Sequence, residues 1–319
     1  LDGFIGSIFR QRNAPEEEIV QSAMEADRDM YLEGITALGD ISNTAATIEI
    51  KKKSKIESLT FVEALGFHPS RAGKAIEMAL SVRSQFGADG LQASIVPHSP
   101  YSISDELFQK IARLDWNESS IISIHNQESD AENLFFQTGE GPIMEHLRQN
   151  LGIDTSFWRP PGKNSPETFL PKLPLEKPLL LVHNTFTGPG DLEFIRHHRQ
   201  QENTWMVLCP NSNLYIENRL PPVQLFRSEK MQICVGTDSL ASNPNLSILA
   251  ELKTLHHNFP DISLQELLVW SCRNGARAIG MGDRFGTLEP GKKPGIILIT
   301  SIDDKNRSLT PQSTVKRLA

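Results

Sequence analysis

Seven short apolar runs, each carrying a polar side chain capable of chemistry at its end, constrain the fold of this chain more than any other feature. These polar residues are Asp40, Glu63, His98, His125, His183, Asn211 and Asp238. Segments with helical periodicity separate the runs, for example 70–87 and 246–260. Continuous apolar strands that alternate with helices are typical of a parallel sheet covered on both faces. The sequence therefore predicts an α/β fold.

The placement of the polar residues decides between two α/β architectures. In a (β/α)8 barrel, the active site gathers at the C-terminal ends of the strands. A doubly wound sheet would carry a glycine-rich phosphate turn after its first strand, and this sequence has none. We predict a (β/α)8 TIM barrel over residues 1–285. Seven strands leave it one short, and we expect the first to be missing, because residues 1–34 have the pattern of a loop and a helix and the chain starts with Leu1.

The C-terminal segment has a different pattern. Pro290 and Gly291 predict a turn, and the apolar run that follows them predicts a strand. We therefore predict that residues 286–319 belong to a small β appendage outside the barrel.

Composition excludes several functional classes. The net charge is −7, and the basic residues are scattered apart from Lys51–Lys53, so the chain lacks the basic patch expected of a nucleic-acid-binding protein. The sequence has no apolar stretch of membrane-spanning length and no visible signal peptide. Three cysteines without paired spacing favour reduced thiols. We expect a cytoplasmic protein that acts on a small molecule.

Three of the nine histidines stand out because each ends an apolar strand. An unpartnered imidazole is costly to bury, so His98, His125 and His183 are predicted to bind a ligand or a hydrogen-bond partner. A buried carboxylate such as Asp238 needs a cation or donors for the same reason. Imidazole and carboxylate at one barrel mouth can bind a divalent metal of the zinc type. Glu63 and Asp40 have an alternative role as acceptors for backbone amides in the strand-end loops.

Six motifs in a fixed order resemble the amidohydrolase superfamily, in its aminohydrolase and chlorohydrolase branch. This branch includes deaminases of guanine, S-adenosylhomocysteine and aminofutalosine. The resemblance runs from about Gly34 to Ile299, and it implies a metal-dependent (β/α)8 barrel with a small β-sandwich formed from both chain ends. The motifs are "HSPYS", "IHNQE", "LVHNT", "CPNSN", "GTDSLASNPNL" and "GTLEPGKKPGIILI".

The resemblance also implies roles for individual residues. His125 and Asp238 would be metal ligands, and Glu128 the proton shuttle. His183 would hydrogen-bond the metal-bound water or the tetrahedral centre, and His98 would contact the substrate. One metal ion is expected, zinc or alternatively iron, because the fourth strand ends in His98 where binuclear relatives place a modified lysine.

Two other strand-end residues are predicted to face the substrate together with His98. These are Glu63 and Asn211, since polar groups at strand ends converge on the barrel mouth. The chain departs from the family in two places. It contains no His-x-His pair, which supplies two further ligands in relatives and which we expect in a missing N-terminal segment. Pro294 and Gly295 replace the usual alanine and aspartate.

These expectations define one preferred function and two alternatives. The preferred function is hydrolytic deamination of an amino-substituted heterocycle, by attack of metal-bound hydroxide. Asp238 would accept a proton from the water, and Glu128 would protonate the ring nitrogen. The first alternative is amide or halide hydrolysis on the same site. The second is a non-catalytic barrel that binds a small molecule and lacks the metal pair, which the sequence of the intact N-terminus would test. A homodimer is left open.

Overall fold

A computed structural model describes residues 15–303 and 305–319 of the chain. All seven predicted strands are present, and they are parallel to one another within their sheets. The strands are β1 (Ala37–Ile41), β2 (Glu57–Ala64), β3 (Gln92–Pro97), β4 (Ile122–Asn126), β5 (Leu179–His183), β6 (Thr204–Leu208) and β7 (Gln232–Val235). The loop predicted for residues 1–14 lies outside the described residues.

Helices separate the strands, as expected for a (β/α) repeat. The α-helices are α1 (Glu16–Leu32), α2 (Ile48–Lys53), α3 (Ala72–Ala88), α4 (Asp105–Ala112), α5 (Asp130–Thr138), α6 (Pro142–Glu145), α7 (Ser165–Phe169), α8 (Pro189–His198), α9 (Pro210–Glu217), α10 (Val223–Ser228), α11 (Ile248–Asn258), α12 (Leu264–Leu268) and α13 (Gly275–Ala278). Short 3₁₀ turns lie at Pro69–Arg71, Pro100–Ser102, Leu170–Lys172 and Gln201–Asn203, and π turns at His146–Asn150 and Val269–Asn274. None of the helices in the described ranges is both long and apolar enough to cross a membrane.

The strands form two ladders that follow chain order, β1-β2-β3 and β4-β5-β6-β7. A backbone hydrogen bond from His125 N to His98 O, 3.0 Å long, joins the end of β4 to the residue after β3. The fold is therefore an α/β barrel of the TIM type, as predicted. Among the described residues, no ladder pairs β7 with β1, and the expectation that the first strand is missing stays a prediction.

Alternation along the strands separates two apolar layers. Ile122, Leu179 and Met206 pack in the layer that includes the helices, whereas Leu180 and Trp205 pack in the smaller cluster inside the barrel. Both faces of the strands are buried, which explains why the apolar runs are continuous in the sequence.

The same alternation directs three of the predicted site residues. Successive side chains point to opposite faces of a strand, so residues two apart share a face. Glu63 continues the interior row of Phe61, His98 that of Val96, and His125 that of Ile121. These three are therefore placed at the top of the barrel interior, whereas Asp238 lies beyond the end of β7.

Residues after the barrel include an antiparallel hairpin of β8 (Ile297–Thr300) and β9 (Thr314–Arg317). The hairpin contacts the end of α1, where the Arg317 guanidinium lies 3.8 Å from the centre of the Tyr31 ring. Gly295 has a φ of 74°, and a Cβ there would come within 3.0 Å of Thr36. Glycine is thus required at one of the two positions where the sequence departs from the family. The division into two domains at residue 286 stays a prediction.

Candidate active site

Six side chains from the strand ends meet at the barrel mouth in two adjoining groups. The first consists of Glu63, His98 and His125, and the second of Glu128, His183 and Asp238. Within each group the potential ligand atoms all lie within 4.8 Å of one another. The groups adjoin because the rings of His125 and His183 stack, with centroids 5.3 Å apart. Of the predicted site residues, only Asn211 belongs to neither group.

Glu63, which is buried, forms an ion pair with His98, which is partly exposed. His98 Nδ1 donates to Glu63 Oε1 at 2.7 Å, and Asn43 Nδ2 donates to Glu63 Oε2 at 3.2 Å. Burial alone would raise the pKa of Glu63, but the charge and hydrogen bond of His98 outweigh it and lower this pKa to about 2. Burial alone would lower the pKa of His98, but the Glu63 carboxylate outweighs it and raises this pKa. Nε2 of His98 is left for a ligand.

His125 has the hydrogen bonding of a metal-binding histidine. Its Nδ1 donates to the backbone oxygen of His98 at 2.7 Å, so the lone pair of the neutral ring lies on Nε2. Burial lowers the pKa of His125, with the charge of His98 acting in the same direction. Metal-ligating histidines usually donate their other ring N–H to a carbonyl or a carboxylate. The ring is thus held neutral and oriented.

Asp238 follows β7 in a left-handed backbone conformation, with a φ of 57°. The hydroxyls of Ser212 and Ser242 both donate to its Oδ2, at 2.7 and 2.6 Å. Burial would raise the pKa of Asp238, but His183 and these hydroxyls lower it. The carboxylate is therefore ionised, and its Oδ1 is left for a cation.

Glu128 and His183 face each other across the mouth, with 3.5 Å between Glu128 Oε1 and His183 Nε2. Burial raises the pKa of Glu128 to about 7, and the charge of Asp238 adds to this effect. Burial lowers the pKa of His183. Alternation along β5 would put His183 on the helix-facing side with Leu181, but the backbone is left-handed at His183, with a φ of 75°. With this local conformation, the His183 ring stacks against the His125 ring.

Asn211 lies on the first turn of α9, and its polar atoms bond to α11. Its backbone N–H and Nδ2 donate to Glu251 at 2.8 and 3.0 Å, and its Oδ1 accepts from Thr254. Its contact with a substrate stays a prediction.

Sequence reasoning missed a set of buried polar residues that support the six. Asn213 donates to Thr185 Oγ1 at 2.8 Å and lies 3.1 Å from His183 Nδ1. The remaining members of this set are Gln127, Ser212, Ser242, Asn243 and Glu251, all buried. The available signal was their position in the polar motifs directly after the strands.

Asp40, whose role the sequence left open, and His68, in the loop after β2, have local partners. Asp40 pairs with Lys51, with 2.5 Å between Oδ2 and Nζ. His68 Nδ1 accepts from the Ser70 backbone N–H and lies 2.8 Å from the Ser70 hydroxyl. The Asp40 partner is thus an ammonium group and not the backbone amides considered above.

A cavity of about 1840 Å³ borders the mouth. Its lining includes His125 and Asp238 together with interior side chains such as Ser123 and Val207. The lining extends to α1 and to the β8–β9 hairpin and does not include Glu63, His98, Glu128 or His183. This cavity therefore meets the site at its two candidate metal ligands.

Comparisons with known proteins point to one family. The profile of the amidohydrolase family matches residues 5–317. An adenosine deaminase of Helicobacter pylori is 26% identical over 297 residues, which cover 92% of this chain and 71% of the relative. A 5-methylthioadenosine/S-adenosylhomocysteine deaminase of Pelotomaculum thermopropionicum is 28% identical over 310 residues, covering 93% of this chain and 64% of the relative.

A comparison with solved structures supports the same family and the barrel fold. Helicobacter pylori aminofutalosine deaminase in complex with methylthio-coformycin superposes with a TM-score of 0.72 at 25% identity, covering 85% of this chain and 66% of that one. The chain thus spans about two thirds of the length of these relatives.

Proposed function

Since the chain belongs to the amidohydrolase family, we propose that it is a metal-dependent hydrolase that deaminates an amino-substituted heterocycle. The observation that carries this proposal is the pairing, at one mouth, of two metal-type donors with a carboxylate that titrates near neutrality. The donors are His125, from the first group, and Asp238, from the adjoining second group, and the carboxylate is Glu128. The names of the relatives support an adenosine-like nucleoside as the substrate class.

His125 and Asp238 would hold one divalent ion, for which we propose zinc. A neutral imidazole with a free Nε2 and an ionised carboxylate are donors that zinc prefers. When bound, such an ion lowers the pKa of a coordinated water from about 16 towards 7 and supplies a nucleophile at neutral pH. Catalytic zinc sites usually have three protein ligands, so the expected His-x-His pair stays part of the proposal.

Glu128 would move the protons. Because its pKa is about 7, this carboxyl group can both give and take a proton near neutral pH. It could protonate a ring nitrogen, take up the proton that the added oxygen loses, and pass that proton to the departing ammonia. His183, 3.5 Å from Glu128, would hydrogen-bond the oxygen that adds to the ring carbon. Glu63 and His98 would orient the heterocycle, since Glu63 holds the His98 ring and leaves its Nε2 for the ligand.

We also infer that the protein works in a reducing compartment such as the cytoplasm. Cys209, Cys234 and Cys272 are all free, and the first two are buried. Burial raises the pKa of both Cys209 and Cys234, which keeps them as unreactive thiols. These observations support reduced thiols and no catalytic cysteine among the three.

The test is release of ammonia by the full-length protein with zinc supplied. The panel comprises adenosine, 5-methylthioadenosine, S-adenosylhomocysteine, guanine, pterins and amino-triazines, and Glu128→Gln is the matched control. We expect ammonia from at least one adenosine-like compound and a large loss in the control. Binding of these compounds by calorimetry without any ammonia release would refute the deaminase and favour the non-catalytic barrel.

A further inference from the structure

We propose that Gln127 is a positioning residue that sets the approach of Glu128 to His183. This inference rests on the proposed function for its kinetic consequences. Gln127 precedes Glu128, is completely buried, and has a left-handed backbone with a φ of 46°. A non-glycine residue in this conformation costs on the order of 1–3 kcal/mol unless its surroundings hold it there. The surroundings of Gln127 must therefore supply that constraint.

The side chain of Gln127 bonds to three separate segments. Its Nε2 donates to Asn133 Oδ1 on α5 at 3.1 Å and to Asp191 Oδ2 on α8 at 2.9 Å. Its Oε1 accepts from the hydroxyl of Thr187 in the loop after β5, at 2.7 Å. Both N–H bonds of the amide and its oxygen are thus used in bonds with fixed neighbours.

The backbone of Gln127 also bonds to α5 and to the loop after β5. Its N–H donates to Glu132 Oε1 at 3.0 Å, and its carbonyl oxygen accepts from Phe186 N at 3.0 Å. The loop after β4 carries Glu128, and the loop with Phe186 and Thr187 directly follows His183, the last residue of β5. Gln127 therefore ties the loop after β4 to the loop after β5 through both its main chain and its side chain.

This arrangement assigns Gln127 a role beyond packing. Without the three side-chain bonds, the left-handed conformation loses its support, and rotation of the peptide that leads into Glu128 would redirect the carboxylate. The 3.5 Å separation of Glu128 Oε1 and His183 Nε2 is the distance that should change. A residue that serves packing alone would lower stability when replaced and leave this distance unchanged.

The first test is structural and does not depend on activity. Gln127→Met keeps the length of the side chain and removes its polar atoms. The control is Asn274→Leu, because Asn274 is also a buried amide but donates to the Ile233 oxygen in β7. In crystal structures, we expect Glu128 to move away from His183 in Gln127→Met and to stay in Asn274→Leu. An unchanged separation in Gln127→Met would overturn the proposal.

The second test is a double-mutant cycle on turnover. Gln127→Met should lower kcat by about 10- to 100-fold with KM and metal content nearly unchanged, and it should have little further effect when combined with Glu128→Gln. Asn274→Leu should have the same small effect in both backgrounds. Equal losses from Gln127→Met in both backgrounds would show that it does not act through Glu128.

A milder variant covers the case in which Gln127→Met does not fold. Thr187→Val removes one bond to Gln127 and keeps the shape of the side chain, so a smaller loss of kcat is expected, again absent when Glu128 is replaced by Gln. A parent protein that releases no ammonia would refute the proposed function, and the crystallographic separation would then decide the role of Gln127 by itself.

Discussion

Glu132→Gln is expected to stabilise the protein at neutral pH, although Glu132 is completely buried. Its Oε1 accepts from the backbone N–H of Gln127 at 3.0 Å, whereas its Oε2 is buried without a close hydrogen bond among the described residues. The Ser165 hydroxyl and the Glu128 backbone N–H lie near the carboxyl group and lower its pKa, but burial outweighs them. Burial raises the pKa of Glu132 to about 8. The folded protein thus holds a neutral carboxylic acid here at pH 7. Glutamine has nearly the same shape, keeps the acceptor for Gln127, and carries no titrating proton.

The magnitude follows from proton linkage. The pKa of this glutamate rises from 4.5 to about 8 on folding, so the folded state binds the proton more tightly. The contribution of this group to stability is fully present below pH 4.5 and is lost as the pH rises through 8. Between pH 4.5 and 8, each pH unit lowers the free energy of unfolding by about 1.4 kcal/mol. At pH 7, Glu132 therefore lowers this free energy by about 3 kcal/mol. Glu132→Gln avoids that loss.

The assay is urea unfolding followed by circular dichroism at pH 4.5, 6, 7 and 8. Glu251→Gln is the control, because burial also raises the pKa of Glu251, to about 7. Its carboxylate, however, accepts three hydrogen bonds from Asn211 and Asn243. In Glu251→Gln, the side-chain nitrogen would face one of these donors and could not accept its hydrogen bond. This control should lose about 1–3 kcal/mol at pH 4.5.

Two results would contradict the reasoning about Glu132. The first is a Glu132→Gln variant that is less stable than the parent at pH 7. The second is an equal slope of unfolding free energy against pH in the variant and the parent. Either would mean that the Glu132 carboxylate is ionised in the folded protein, and that burial does not dominate its pKa.

Three further predictions concern the mouth itself. Glu128→Gln should lose turnover by about 10² to 10⁴ while keeping its metal; if Glu128 only capped a helix, the melting temperature would fall and turnover would persist. Elemental analysis should find one zinc equivalent per full-length chain and none in Asp238→Ala, which should also be inactive; two equivalents in the parent, or an active variant, would refute the ligand assignment. Glu63→Gln should raise KM more than it changes metal content, and unchanged kinetics would leave Glu63 a structural role.

The strands and most of the residues at their ends could be predicted from sequence, because strands that are buried on both faces appear as continuous apolar runs and each run is followed by a polar residue. A continuous apolar run of strand length is compatible with few structures other than a strand that is buried on both faces. A polar residue two positions beyond the last interior side chain then falls on the interior side, as His98 does after Val96 and His125 after Ser123. Glu128 came from its motif and not from alternation, since it lies beyond the end of β4.

The partners of these residues could not be predicted, because they depend on which loops meet in space. Asn211 is an example. Its contact with a substrate stays a prediction, and its hydrogen bond to Glu251 could not be predicted, because that bond depends on how α9 packs against α11. Gln127 shows the converse. Nothing local distinguishes it from an exposed loop glutamine until the loop after β5 covers it.

Two glutamates of one mouth have opposite pKa shifts, and this difference supports separate roles for them. Glu63 has His98 Nδ1 at 2.7 Å, and this contact outweighs burial and holds the pKa of Glu63 at about 2. Glu128 has its imidazole partner, His183 Nε2, at 3.5 Å, and burial prevails, so that its pKa is about 7. At neutral pH, Glu63 stays ionised and fixes a ring, whereas Glu128 can both give and take a proton. Carboxylates whose environments separate their pKa values in this way usually have different roles in acid–base chemistry.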